Sequence, residues 1–307
     1  MPSPIEVIIN AGSGSVECEV VEKQIAELFE QNGVKANINL AQNGGEIIKL
    51  AEKLAKSSAE IIVAGGGDGT VSAVASKLIG TNKTLGVLPL GTLNNFSKDL
   101  GIPKDLAEAV KIIAENQTKE IDVGEVNGRI FINNSSIGLY PHIVKRREAQ
   151  QRLGHGKWRS AFWAALKMLK RSPFFAVRLK TETGERIVKT PFVFVGNGEY
   201  EMDFFNIGRR SIIDDGKLSV YFLHRSGRKG LFLLVVRTLF GRLRQTHDFE
   251  EINVKEITFE TRKKRILVAF DGEVETLETP LHYKIYPKAL RVVVPQKNLA
   301  TNDTNEE

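Results

Sequence analysis

The stretch Glu60-Ile61-Ile62-Val63-Ala64-Gly65-Gly66-Gly67-Asp68-Gly69-Thr70 decides the fold of this chain. Its short apolar, β-branched run predicts a buried strand. The glycines that follow allow positive φ and let the backbone approach a ligand closely. From Thr70 to Leu78 the apolar residues recur at helical spacing. Such a strand, turn and helix N-terminus aim several N–H groups at one point, which suits a phosphate group. A tight strand-to-helix connection without a ligand is the alternative.

Two further small-residue loops follow predicted strands. Residues 10–15 follow the strand Ile5–Ile9, and residues 90–96 follow the strand Leu85–Pro89. Strands alternate with helices in this part of the chain, which predicts an α/β domain with a parallel sheet and helices on both faces. Because ligands bind at the carboxyl ends of parallel strands, we expect the three loops to share one edge.

From Glu120 onward strands dominate. A hairpin is expected across Asn127-Gly128, which is a strong turn signal. Two predicted helices, Trp158–Leu169 and Leu231–Leu243, interrupt the strands. We predict an α/β domain over residues 1–125, a β-rich, mostly antiparallel domain over residues 126–297, and a disordered polar tail over residues 298–307.

The composition indicates a soluble globular protein, since 42% of the 307 residues are hydrophobic and 26% are charged. Cys18 is the only cysteine, which excludes an intrachain disulfide and a cysteine-based metal cluster. The N-terminus begins with a strand-like run rather than a signal peptide. The longest apolar runs, such as residues 231–236, are too short to span a bilayer. We therefore predict a cytoplasmic protein.

Four motifs in this order resemble the catalytic family of diacylglycerol kinases, and in particular the bacterial lipid kinases that are similar to sphingosine kinases. The first loop alone is less specific, because NAD kinases and phosphofructokinases share it. The resemblance covers roughly residues 5 to 295. The motifs are Gly66-Gly67-Asp68-Gly69-Thr70, Pro89-Leu90-Gly91-Thr92-Leu93-Asn94-Asn95-Phe96, Ile213-Asp214-Asp215-Gly216-Lys217-Leu218 and Phe270-Asp271-Gly272-Glu273.

The resemblance implies ATP in a cleft between a phosphofructokinase-like or NAD-kinase-like α/β domain and a β-rich, lipid-binding domain. Phosphoryl transfer requires clamped phosphates, Mg²⁺ and an oriented acceptor hydroxyl. Asp68 is expected to act through Mg²⁺ or a water rather than on phosphate directly. The residues assigned to the nucleotide on this basis are Asn10, Gly65, Gly66, Gly67, Asp68, Gly69, Thr70, Thr92, Asn95 and Asp122.

By the same resemblance, Glu273 is the general base that takes the proton of the lipid hydroxyl, and Asp271 supports the catalytic Mg²⁺. The alternative for Asp271-Gly272-Glu273 is an ordinary hairpin turn. The resemblance also implies a second, structural Mg²⁺ held by the carboxylate of Asp215 and the carbonyl groups of Ile212 and Lys217. Few protein ligands and several waters suit Mg²⁺.

Two positions depart from the family pattern. Ala11 stands where the family usually has proline, which affects only the rigidity of the loop. Asn95 stands where the family usually has aspartate, so one negative charge is missing and Asp122 becomes the expected remaining carboxylate at the cleft. This departure predicts either a different acceptor or slow turnover.

The net charge of +6 is compatible with nucleic acid, anionic lipid or phosphorylated ligands. No nucleic-acid motif accompanies the charge, so we expect no nucleic-acid partner. In the predicted helix Trp158–Leu169, cations flank tryptophan, next to Lys145-Arg146-Arg147. Peripheral contact with anionic headgroups at the inner face of the membrane and a core-facing helix with a solvated basic side both remain open.

Our prediction is an ATP- and Mg²⁺-dependent kinase that phosphorylates a membrane lipid such as diacylglycerol, phosphatidylglycerol or a sphingoid-like acceptor. A kinase for a soluble acceptor such as NAD is the first alternative. The second alternative is a weakly catalytic lipid-binding or regulatory protein, and Asn95 motivates it. The oligomeric state is not predicted.

Overall fold

A computed structural model of the chain describes residues 4–12, 15–139, 141, 174–202, 207–210, 213–223 and 249–296. The chain divides into two compact units, one of residues 1–123 with 287–307 and one of residues 124–286. The sequence predicts that residues 287–297 belong to the second domain, whereas in the structure they belong to the first unit.

The first unit alternates strands and helices, as the sequence predicts. The strands Ile61–Gly66 and Thr84–Pro89 are buried on both faces along their whole length, which is typical of parallel strands covered by helices on both sides. The elements are β1 (Ile5–Asn10), α1 (Ser15–Gln31), β2 (Ala36–Ala41), α2 (Gly44–Ala55), β3 (Ile61–Gly66), α3 (Asp68–Leu78), β4 (Thr84–Pro89), α4 (Asn95–Asp99) and α5 (Leu106–Glu115).

The sheet of the first unit is parallel, in the order β2-β1-β3-β4. The last residues of a long strand, β18 (Leu281–Val293), add to β4 in parallel, with Arg291 opposite Thr84. The parallel register brings the carboxyl ends of β1, β3 and β4 to one edge, so the prediction of an α/β domain with its loops on a shared edge is confirmed. The short helix α4 was not predicted.

The described residues of the second unit lie mainly in strands, most of them antiparallel. The chain enters it within β5 and leaves it within β18. Its strands are β5 (Thr118–Val126), β6 (Arg129–Phe131), β7 (Asn134–Gly138), β8 (Phe175–Thr181), β9 (Gly184–Thr190), β10 (Phe192–Asn197), β11 (Tyr200–Met202), β12 (Ile207–Arg210), β13 (Leu218–Leu223), β14 (Phe249–Val254), β15 (Glu256–Thr261), β16 (Arg265–Phe270), β17 (Glu273–Glu278) and β18.

Most of these strands form two sheets that enclose an apolar core, while β11 and β12 pair with each other in a separate two-stranded sheet. One sheet has the order β14-β13-β10-β7-β16-β17, and the other contains β18-β15-β8-β9 with the β5–β6 hairpin. Side chains from both sheets meet in the core, among them Val195 and Phe270 from the first and Phe259 and Tyr283 from the second. The prediction of a β-rich antiparallel domain is confirmed.

Several features of the second unit differ from the expectations. The sequence pattern predicts two separate strands, Leu281–Tyr286 and Leu290–Val294, whereas residues Leu281–Val293 form the single strand β18. The strands β9 and β17 were not predicted, because their sequences carry charged, exposed residues in place of an apolar run. The predicted helices Trp158–Leu169 and Leu231–Leu243, the cluster Lys145-Arg146-Arg147 and the tail 298–307 lie outside the described residues. In the described part of the chain, no helix is long and apolar enough to cross a bilayer.

The predicted hairpin at Asn127-Gly128 is confirmed, with both residues at positive φ between paired Val126 and Arg129. Asn127 also contacts the β17–β18 connection. Its Oδ1 accepts from the N–H of His282 at 2.8 Å, and its Nδ2 donates to the carbonyl of Glu278 at 3.0 Å. This asparagine therefore joins two turns of the second unit.

We predict that Asn127→Ala lowers the free energy of unfolding by about 1–3 kcal/mol, because these hydrogen bonds are lost. Urea denaturation measures the loss. In the control Asn127→Gly, glycine accommodates the positive φ but makes no side-chain hydrogen bonds. Its free energy of unfolding should therefore fall below that of wild type by most of the amount seen for Asn127→Ala. A midpoint of Asn127→Ala equal to that of wild type would contradict the prediction.

Candidate functional site

Three loops meet at the carboxyl edge of the parallel sheet. They are residues 10–12 at the end of β1, residues 65–70 from the end of β3 into the first turn of α3, and residues 90–96 from the end of β4 into α4. The first two loops are joined by a hydrogen bond from Nδ2 of Asn10 to Oγ1 of Thr70 at 3.3 Å. Oδ1 of Asn10 accepts from the N–H of Gly12 at 3.1 Å, so the asparagine also shapes its own loop.

Asp68 joins the second loop to the third. Its carboxylate accepts from the N–H groups of Asn95 at 3.1 Å and Phe96 at 3.0 Å, in the first turn of α4. A carboxylate that accepts backbone N–H groups makes charge-assisted hydrogen bonds, which are stronger than neutral ones. Asp68 therefore holds the third loop in place relative to α3.

The third loop is shaped by Asn94, for which the sequence predicted no role. Asn94 is buried and adopts a left-handed conformation at φ 51°. Its Oδ1 accepts from the N–H of Gly91 at 3.0 Å, and its Nδ2 donates to the carbonyl groups of Gly91 at 2.7 Å and Pro89 at 3.0 Å. The candidate side chains Thr92 and Asn95 are exposed beside it.

Gly66 and Gly91 are required for close packing, whereas the positive φ that the glycine loop would allow is not used. None of the described glycines from 65 to 69 has positive φ. A Cβ on Gly66 would lie 2.5 Å from Oγ1 of Thr70, and a Cβ on Gly91 would lie 2.4 Å from Cα of Gly67. A side chain at Gly66 would displace Thr70 within the same loop, and a side chain at Gly91 would push the second and third loops apart.

Asp122 is buried on β5, with 1% of its surface exposed. Its Oδ1 accepts from the N–H of Lys288 in β18 at 2.8 Å. Lys288 has a left-handed conformation at φ 52°, within the strand that returns to the first unit. The structure thus places this carboxylate in a contact between strands of the first unit.

In the second unit, Asp271 and Gly272 form a two-residue hairpin turn between β16 and β17. Both have positive φ, 47° and 89°, and the flanking residues Phe270 and Glu273 are paired. These conformations are those of a type I′ turn, which favours Asp-Gly. Of the two interpretations of Asp-Gly-Glu, the turn is therefore present, and it leaves Glu273 exposed at the first position of β17.

The buried carboxylate of Asp271 binds the loop between β6 and β7. It accepts from the N–H groups of Ile132 at 2.7 Å, Asn133 at 2.8 Å and Asn134 at 3.1 Å. The N–H of Asp271 donates in turn to the carbonyl of Asn134 at 2.9 Å. The turn that presents Glu273 is thus anchored to residues nearly 140 positions earlier, which no local sequence signal indicates.

Asp215 lies in a turn before β13, where Gly216 has φ 69°. Its Oδ1 accepts from the N–H of Lys217 at 3.2 Å, and the carbonyl of Lys217 accepts from the N–H of Gly198 at 3.3 Å. The residue is exposed overall, but partial burial of its carboxyl group raises its pKa, and the contact with Lys217 opposes that rise. Ile212, the third expected ligand, lies outside the described residues.

The described oxygens fit Mg²⁺ in their chemistry, since a carboxylate and a carbonyl group are the hard donors that this ion prefers. Among the described residues, no group of three or more His, Cys, Asp or Glu side chains is placed to hold a metal ion. A site at Asp215 and Lys217 would therefore depend on carbonyl groups and waters for most of its ligands.

Comparison with known families divides the chain into two matched parts. Residues 4–126 match the diacylglycerol kinase catalytic domain. Residues 140–294, more than half of the 307-residue chain, match the YegS C-terminal NAD kinase beta sandwich-like domain. The two matches follow each other in the order of the two units.

The curated relatives include lipid kinases. A probable lipid kinase YegS-like protein of Chromohalobacter salexigens is 28% identical over 267 residues, covering 84% of this chain and 84% of the relative. A probable lipid kinase YegS-like protein of Klebsiella pneumoniae is 33% identical, over 46% of this chain and 48% of the relative. The diacylglycerol kinase of Bacillus subtilis is 35% identical, over 45% and 46%. The last two alignments thus span about half of each relative.

Solved structures share the fold. A crystal structure from Bacillus anthracis str. Sterne superposes with a TM-score of 0.76 at 24% identity, covering 96% of both chains. The crystal structure of a diacylglycerol kinase from the same strain has a TM-score of 0.67 at 23% identity, over 96% of this chain and 97% of the other.

We predict different effects on stability for alanine substitutions at two glycines that contact each other. Gly91→Ala should lower the free energy of unfolding by about 1–3 kcal/mol, because its Cβ would overlap the backbone of Gly67. Gly67→Ala, the matched control, should leave stability near that of wild type, because its Cβ would lie 3.5 Å from Cα of Gly91. Differential scanning calorimetry measures both, and equal melting temperatures of the two variants would contradict this account.

Proposed function

Because the chain belongs to the family that joins a diacylglycerol kinase catalytic domain to a YegS C-terminal domain, we propose that it transfers the γ-phosphoryl group of ATP to the hydroxyl group of a lipid. Family membership makes it a phosphotransferase with an alcohol group as acceptor. The acceptor class is proposed from the relatives that are named lipid kinases.

The observation that carries the proposal is the joining of three loops at one edge of the sheet by Asn10, Asp68 and the Gly67–Gly91 contact. Phosphoryl transfer depends mainly on positioning and electrostatic stabilisation of the phosphates. Preorganised backbone N–H groups supply both without reorganisation. We assign the nucleotide phosphates to the N–H groups of residues 66–70, with the exposed hydroxyl of Thr92 in the neighbouring loop as a further donor.

Asp68 has a supporting role in this proposal. Its two carboxylate oxygens accept from the N–H groups of Asn95 and Phe96, so its charge offsets the N-terminal dipole of α4 and fixes the loop. The side chain of Asn95 is exposed and neutral where the family usually has a carboxylate. The proposed consequence is a less negative nucleotide site.

The acceptor side is assigned to Glu273. An alcohol is a poor nucleophile until a base takes its proton, and a carboxylate within hydrogen-bond reach of the hydroxyl can do so. Glu273 is exposed, and its backbone is fixed by the type I′ turn and the pairing with Phe270. Asp271 is assigned to positioning, since its carboxylate already accepts three backbone N–H groups.

Mg²⁺ enters the proposal in two places. When bound with ATP it neutralises charge on the phosphates. A second ion is assigned to the carboxylate of Asp215 and the carbonyl of Lys217, where it would stabilise the turn before β13. Peripheral membrane contact remains a prediction, because the basic segment that motivates it lies outside the described residues.

A kinase for a soluble acceptor such as NAD is the second candidate. The description of the C-terminal family as NAD kinase beta sandwich-like favours it. The relatives named lipid kinases favour a lipid as the acceptor. The two candidates differ in which acceptor receives the γ-phosphoryl group of ATP.

The decisive experiment incubates the protein with γ-labelled ATP, Mg²⁺ and one acceptor at a time: diacylglycerol, phosphatidylglycerol or a sphingoid base in mixed micelles, or NAD. We expect label in a lipid product. Label in NAD alone would replace the lipid by a soluble acceptor, and no transfer to any acceptor would contradict the proposed function.

With the active acceptor, Glu273→Gln should lower turnover by about 10²- to 10⁴-fold while the KM for ATP stays near that of wild type, because glutamine has the same shape and cannot take the proton. The control Glu275→Gln changes the same strand at an ion pair with Arg129 and should leave turnover near that of wild type. Normal turnover of Glu273→Gln would remove Glu273 from the mechanism.

For the assigned Mg²⁺ site, the melting temperature of the wild type should rise with added Mg²⁺, because an ion that binds only the folded state stabilises it by mass action. Asp215→Ala should lose that rise, whereas Asp214→Ala, its sequence neighbour, should keep it. An identical response of all three proteins to Mg²⁺ would make the segment a turn without a metal.

A further inference from the structure

The loop Ile132-Asn133-Asn134 of the second unit is held from two sides by groups of opposite charge. On one side the carboxylate of Asp271 accepts its three N–H groups. On the other side the guanidinium of Arg210, which is 6% exposed on β12, donates through Nη1 to the carbonyl of Ile132 at 2.6 Å. Its Nη2 donates to Oδ1 of Asn133 at 3.2 Å.

One peptide group lies directly between the two charges. The carbonyl of Ile132 and the N–H of Asn133 belong to the same trans peptide, so they point in opposite directions. Arg210 donates to the carbonyl, and Asp271 accepts from the N–H at 2.8 Å. The cation therefore faces the negative end of the peptide dipole and the anion its positive end, and each contact strengthens the other.

We infer that Arg210 is a positioning residue for the reaction: through this peptide group it holds the Asp271-Gly272 turn, and with it the base at Glu273. The inference rests on the proposed function, in which Glu273 takes the proton of the acceptor. The physical chain has three links, namely Arg210 to the 132–133 peptide, that peptide to Asp271, and Asp271 to the start of β17.

Neutral groups make further contacts to the same loop. Nδ2 of Asn197 donates to the carbonyl of Ile132 at 2.9 Å, and the hydroxyl of Tyr200 donates to the carbonyl of Asn133 at 2.9 Å. Arg210 stacks near the ring of Tyr200, 5.8 Å from its centre. Because these neutral contacts remain when the charge is removed, we expect the unit to fold without Arg210 but to hold the turn less rigidly.

Arginine suits this role better than lysine. Its planar fork reaches two acceptors on one loop at once, and it also donates to the carbonyl of Asn197 at 3.1 Å. A lysine ammonium is a compact charge that cannot reproduce this geometry. Arg210→Lys should therefore restore the charge without the fork and give an intermediate effect.

The test compares Arg210→Met with Arg265→Met. The control removes Arg265, which lies on the β16–β17 hairpin at the end opposite the Asp271-Gly272 turn. There it forms an exposed ion pair with Glu278 at 2.9 Å. In Arg210→Met we expect turnover to fall by about 10²-fold, the loss that a small misplacement of a catalytic group produces, with the KM for ATP unchanged. Arg265→Met should retain wild-type turnover.

A second measurement separates positioning from general stability. If Arg210 acts through Glu273, then Arg210→Met should cause no further loss of turnover in the Glu273→Gln background. An equal loss in both backgrounds would assign Arg210 a structural role only and overturn the inference.

Hydrogen–deuterium exchange of the peptide containing residues 132–134 adds a readout that does not depend on activity. Arg210→Met should exchange faster there than Arg265→Met does, and unchanged protection would overturn the inference whatever the activity. If Arg210→Met does not fold, Arg210→Lys and Tyr200→Phe can replace it, because each weakens the contacts to the same loop. Both should lower turnover to a smaller extent, and wild-type turnover in both would also overturn the inference.

A wild-type protein that transfers phosphate to no acceptor contradicts the proposed function and the catalytic part of the inference. The exchange result still decides whether Arg210 holds the loop.

Discussion

Carboxylates that accept backbone N–H groups from a distant loop are the interaction on which both candidate regions depend. Asp68 binds the N–H groups of residues 95 and 96, and Asp271 binds those of residues 132–134. A loop has no ladder of its own to satisfy its amides, and a carboxylate satisfies two or three of them at once. In each region the residue that carries the charge therefore also fixes the geometry of its neighbours.

Apart from the short helix α4, the regular elements of the first unit followed from the sequence because local patterns determine them. The apolar run before Gly65 and the helical spacing after it produce β3 and α3, and the same logic holds for the Asn127-Gly128 hairpin. Contacts across long separations could not be read in this way. The partners of Asp271 lie near residue 133, and those of Asn127 lie beyond residue 277, so no local signal connects them.

In the glycine-rich loop, glycine is needed for a different reason from the positive φ that the sequence suggested. Glycine was expected there for its conformational freedom, yet Gly67 adopts an extended backbone that any residue tolerates. The requirement comes from space, because Gly66 packs under Thr70 and Gly91 packs against Gly67. The sequence shows which residues are small, but only the folded structure shows which neighbouring atoms a larger side chain would overlap.

The return of the chain through β18 has a consequence for how the protein could be divided. The first unit consists of two separate pieces of sequence, and the second unit is inserted between them. A fragment that stopped after β5 would leave β4 without β18, one of its two parallel neighbours, and the buried carboxylate of Asp122 without the N–H of Lys288. Recombination among relatives that exchanged the second unit would therefore need two crossovers, one in β5 and one in β18, and a single crossover would separate residues that must fold together.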